Sequence, residues 1–82
     1  MDDNEAYDEN YKSFEGALIT VWDIITEITS GKNDMLFEIA DVYDEAQWRG
    51  LVYNSVEKAV RTLNRMGILA NPKNGKYKRV YR

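Results

Sequence analysis

Eighty-two residues with 11 Lys+Arg, 14 Asp+Glu and neither histidine nor cysteine exclude a good deal. A chain this short makes one domain at most, with a thin core, because a domain of this size buries only about 60–65% of the surface its unfolded chain exposes. Without cysteine or histidine there is no disulfide, zinc finger, thiol nucleophile or imidazole base, and the longest largely apolar run, residues 17–22, is far too short to span a bilayer.

No basic-then-apolar leader opens the chain, so the expectation is a small cytoplasmic domain with no membrane partner. The net charge of −3 is the sum of two unlike halves. Residues 1–45 hold 13 acids and two bases, a net −11, whereas residues 46–82 hold nine bases and one acid, a net +8. Such asymmetry points to a polyanionic partner or to a dimer with complementary faces.

Residues 1–12 are acidic and poor in aliphatics, which suits a solvated tail. They also fit an extension of the first helix. Tyr7, Tyr11, Phe14, Leu18 and Trp22 recur at three- and four-residue steps, and Asp2, Asp3 and Glu5 would sit favourably at the helix N-terminus. Ser13 and Gly16 interrupt that pattern, so a start near Ser13 is the other possibility. Residues 14–29 form a helix whose apolar stripe is Phe14, Leu18, Val21, Trp22, Ile25 and Ile28, with Ile19 and Ile24 off its centre. That stripe is broader than one small core needs, which hints at a second contact. Ser30-Gly31-Lys32-Asn33 reads as a C-cap and loop.

Asp34 suits the N-cap of a short helix over 35–43, with Leu36, Ile39, Ala40 and Tyr43 inward. Residues 44–49 form a connector ahead of Gly50, and Trp48 within it is expected to anchor the core or an interface. A third helix over 51–66 buries Val52, Val56, Ala59, Val60, Leu63 and Met66 and ends at Gly67. The chain closes as a hairpin: strand 68–71, turn Pro72-Lys73-Asn74-Gly75, strand 76–82, with Asn-Gly as the turn signal. The fold class is mainly α with a small C-terminal β-hairpin.

At 100° per residue, Asn54, Lys58, Arg61 and Arg65 share the face of the third helix opposite its apolar side. Arginine and asparagine match base edges, while lysine, serine and tyrosine hold phosphates. The hairpin adds Lys73, Lys76, Lys78, Arg79 and Arg82, interleaved with Tyr77 and Tyr81. A plain solvated helix face and a charged edge strand are the structural alternatives.

This order of elements resembles a winged helix-turn-helix domain. The resemblance rests on Tyr53-Asn54-Ser55-Val56-Glu57-Lys58-Ala59-Val60-Arg61-Thr62-Leu63, and on Leu63-Asn64-Arg65-Met66-Gly67-Ile68-Leu69 leading into the wing. It covers residues 14–82 and is generic to the superfamily rather than to one family. It implies double-stranded DNA as the partner. Tyr53, Asn54, Ser55, Lys58 and Arg61, with Arg65 on the same stripe, would face the major groove, and Lys73, Lys76, Lys78 and Arg79 would form the wing. A connector longer than the usual tight turn departs from the pattern and leaves the angle between the second and third helices open.

A homodimer is expected through Tyr7, Tyr11, Phe14, Leu18 and Ile19. No cofactor or metal is expected: Asp34, Glu38, Asp41, Asp44 and Glu45 lack calcium-loop spacing, and Ser30-Gly31-Lys32 lacks the upstream glycine of a phosphate loop. Nor is an enzyme expected. The alternative to a small transcriptional regulator is an accessory protein of phage, plasmid or viral type. Its acidic half would then dock on a replication, transcription or defence machine.

Overall fold

The computed structural model describes the backbone of residues 2–80 and the side chains of residues 14–80. Helix α1 (Asp2–Thr29) runs for 28 residues without interruption. Positions 7 and 11 therefore belong to the helix, while the side chains of Tyr7 and Tyr11 lie outside the described residues. Gly16 does not break α1: it sits exposed, in open space, and a glycine inside a helix costs only about 1 kcal/mol.

The buried row of α1 is Ala17, Val21, Ile24 and Ile25, all essentially without exposure. Ile24, placed off-centre by the periodicity, is at the core, while Leu18, Trp22 and Ile28 only border it. The stripe is turned because α1 packs against both α2 and α3, with Ala17, Val21, Ile24 and Ile25 on its buried side. The helix closes with Ser30 in the left-handed region (φ 53°), its N–H on the Glu27 carbonyl and that of Gly31 on the Thr26 carbonyl. This is the paired closure that normally selects glycine at the Ser30 position. Buried Thr29 is satisfied by donating to the Ile25 carbonyl at 2.6 Å.

The second helix starts later than its sequence signals indicate. Phe37 is drawn into an extended bridge with Tyr77: its N–H donates to the Tyr77 carbonyl at 2.9 Å and the Tyr77 N–H returns to the Phe37 carbonyl at 2.8 Å. A residue held extended cannot be helical. Helix α2 is therefore Ile39–Ala46, with Glu38 rather than Asp34 as N-cap and Asp41 accepting the Glu38 N–H at 2.9 Å. Its inward residues are Val42 and Ala46; Leu36 and Ala40, expected inside, are exposed.

The connector is a single 3-10 turn, Gln47–Arg49, closed by Gly50 at φ 85°. Trp48 is not in the core. It stands 82% exposed because Ala46 takes the inward position and the Leu51 N–H folds back onto the Ala46 carbonyl. Arg49 ties this turn to α1 through Glu27 at 2.8 Å.

Helix α3 (Tyr53–Arg65) buries Val56, Ala59, Val60 and Leu63. Val52 and Met66, expected on that face, are its exposed end caps. Gly67 (φ 81°) donates to the Asn64 carbonyl and Ile68 to that of Leu63, which completes the C-cap read from the sequence.

Strands β1 (Leu69–Lys73) and β2 (Lys76–Arg79) pair antiparallel, with Leu69 opposite Arg79, Ala70 opposite Lys78 and Lys73 opposite Lys76. Pro72, assigned to the turn by the sequence, lies inside β1. The register shift between Ala70 and Lys73 sets Asn71 and Pro72 against Tyr77 alone, a bulge that tolerates the missing proline N–H. Tyr81 and Arg82 lie outside the described residues. Three helices followed by a two-stranded hairpin make a mainly helical molecule with the layout of a winged helix-turn-helix domain. Among the described residues, no helix is long and apolar enough to cross a membrane.

Candidate nucleic-acid interface

The amphipathic period of α3 turns its apolar row into the core, and the same period turns Asn54, Lys58, Arg61 and Arg65 to solvent. These four, with Glu57, line a shallow depression of about 340 Å³ along the helix. The Arg61 guanidinium donates to Glu57 at 2.9 Å, and Arg65 reaches the Thr62 hydroxyl at 3.4 Å. An exposed i,i+4 ion pair of this kind is worth about 0.3–0.5 kcal/mol, so Glu57 holds the Arg61 guanidinium only weakly.

Lys58 leans the other way. Its ammonium lies 4.9 Å above the Phe14 ring and joins α3 to the first half of α1. Tyr53 is exposed and packs edge-to-face on Tyr43 at 5.4 Å, while Ser55 is half-buried on the flank of the stripe.

The hairpin residues divide into two groups. Because Tyr77 points inward and stacks on Phe37, the alternation of β2 carries Lys76 and Lys78 to the opposite face. Lys73 is exposed at the end of β1, and the Lys76 ammonium is engaged by Glu38. Arg79 shares the inward side with Tyr77. Its guanidinium lies 4.7 Å over the Trp22 ring, its Nη1 stands 3.3 Å from where a Cβ on Gly31 would sit, and its Nε is buried without a hydrogen-bond partner among the described residues. Among the described residues, the Lys73 and Lys78 ammonium groups have no ion-pair or ring partner, whereas Arg79 fastens the hairpin to α1.

Arg61 joins helix and wing. It lines a second, polar cleft of about 390 Å³ together with Tyr53, Asn71, Asn74 and Glu38, between the start of α2, α3 and the hairpin turn. Asn71 also donates to the Lys73 and Lys76 carbonyls at 2.7 and 2.5 Å, which braces the hairpin tip from within. Asn71 reads in the sequence as the end of a strand and Asn74 as a turn residue; their place beside Arg61 comes from the docking of the hairpin. Among the described residues, no three acidic side chains are grouped so as to hold a metal ion. Comparison with known proteins yields no matching family model, no matching curated protein and no matching solved structure.

Proposed function

We propose that this chain binds double-stranded DNA as a winged-helix protein, a small cytoplasmic regulator of transcription. α3 would enter the major groove and the hairpin would follow the adjacent phosphates. What supports this is one arrangement: the exposed Asn54, Lys58, Arg61 and Arg65 row on α3, continued to the hairpin tip through Arg61. Guanidinium and amide groups on one helix face suit guanine and adenine edges, and lysines on a projecting ribbon suit phosphate.

Binding to a mixed-sequence duplex, titrated with salt, tests it. Log K is expected to fall with log salt at about −0.9 per phosphate contacted. Arg61→Ala should lower affinity by about tenfold, and Lys73→Ala with Lys78→Ala should flatten the slope by about 0.9 for each lysine lost. Absence of binding at about 50 mM salt, where the counterion term is strong, overturns the proposal.

A second reading, docking of the acidic half on a basic protein surface, draws support from Trp48. It stands 82% exposed, and Asp41, Asp44 and Glu45 precede it at helical steps and are exposed as well. A solvent-exposed tryptophan is a common anchor of protein interfaces. Failure of the duplex titration would leave this reading in place.

A further inference from the structure

We propose that the open apolar groove between α1 and the end of α3 is the contact with a second copy of this chain, whose own α1 lies in it antiparallel. Leu18, Ile19 and Trp22 of α1, Leu63 and Met66 of α3, and Ile68 line a concave surface of about 350 Å³. Ile19 is 65% and Met66 59% exposed, so two large apolar side chains crown one continuous patch. Contiguous patches of this kind mark interaction sites, unlike apolar residues scattered singly.

The occupant follows from length, pattern and charge. At 1.5 Å per residue α1 is about 42 Å long and α3 about 20 Å, so α3 covers only half of α1. Ala17 is the first described residue of α1 buried in the chain's own core. Ahead of it the seam Tyr7, Tyr11, Phe14 continues, by three- and four-residue steps, the row that holds Leu18 and Trp22. A second α1 laid antiparallel sets helix position 7 of one copy beside position 22 of the other and position 11 beside position 18, with the two-fold axis beside position 14. An overlap of about 22 Å results, and two such helices bury on the order of 1,000 Å² in all, the lower bound for a specific interface.

Charge agrees with this direction. Residues 2–12 carry five acids and one lysine, and the antiparallel arrangement lays them beside Arg65 at the basic end of the other copy's α3. Met66 lies roughly 100° round α3 from the centre of the Asn54–Arg65 row, so Asn54 and Arg61 stay open in the pair while Arg65, at the end of the row, faces the other copy's acids. The inference does not depend on DNA binding.

Sedimentation or light scattering of the full chain at about 100 µM, where a dimer of micromolar Kd is almost fully formed, tests it. The full chain and Trp48→Glu should be dimeric, and Ile19→Glu and Met66→Glu monomeric with unchanged helical circular dichroism. A monomeric full chain, or a dimer that survives both groove substitutions, overturns the proposal. Because the chain lacks cysteine, Phe14→Cys introduces a unique thiol beside the axis. It should form a disulfide-linked dimer on oxidation, and Tyr11→Cys alone should not. Cross-linking of Tyr11→Cys without that of Phe14→Cys would refute the antiparallel arrangement.

Discussion

Glycine shows how one residue type carries opposite energies in this fold. Gly67 holds φ 81° at the end of α3, and a Cβ there would meet nothing within 4 Å, so only the backbone resists substitution. Gly67→Ala should cost about 1 kcal/mol, which in a domain of this size lowers the melting temperature by about 4–8 °C. Gly16 also has open space around it but lies inside α1. Gly16→Ala should raise stability by about 0.5–1 kcal/mol, through better helix propensity and a less flexible unfolded chain. Thermal melts of the two variants check both signs. The role of Gly67 was legible because it follows an apolar helical period directly. The exposure of Val52 and Met66 was not. Both fall on the apolar face of α3 by period, but they sit where the helix has already ended and neighbouring elements no longer cover it.

Among the elements, the hairpin shows most clearly how a shared composition hides different work. Five cations in ten residues look alike in the sequence, yet the two-residue alternation of β2 sends Lys78 to one side and Arg79 to the other. Arg79 lies over Trp22, and through it the hairpin grips α1. Arg79→Ala should destabilise the protein by about 1 kcal/mol through the lost cation–π contact and stem packing, measured by urea unfolding. Lys78→Ala should stay within about 0.5 kcal/mol. The start of α2 has the same origin. Asp34 is a sound N-cap by local chemistry, but the strand bridge between Phe37 and Tyr77 forbids helix until Glu38. A pairing across 40 positions leaves no mark on the residues beside Asp34.

For the whole molecule, composition sets the response to solution conditions. With no histidine in the chain, no side chain of ordinary character gains or loses a proton between pH 6 and 8. The slope of stability against pH is then expected to be small, since the α-amino group is what ordinarily titrates in that window. The melting temperature should be flat across that window and unaffected by reductant, since there is no cysteine to reduce. A transition that moves by many degrees between pH 6 and 8 would contradict this. Charge placement acts at the same scale. The −11 and +8 halves do not become two faces of equal meaning, because Glu38 and Glu27 turn part of the acidity back onto Lys76 and Arg49.

What the sequence by itself determined is the set of elements: three helices, a terminal hairpin, the cap at Gly67, the turn at Gly75, and a basic row on α3. Each depends on residues a few positions apart, so helical or strand period and turn chemistry suffice to read them. Only the tertiary structure decided which way α1 turns its broad stripe, where α2 begins, that Trp48 faces water, and that Arg61 stands beside the hairpin tip while Arg79 turns away. Those outcomes depend on contacts between distant positions, where burial of one side chain leaves another without a place. The groove at Ile19 and Met66 is what remains when α1 gives Ala17, Val21, Ile24 and Ile25 to the core of its own chain.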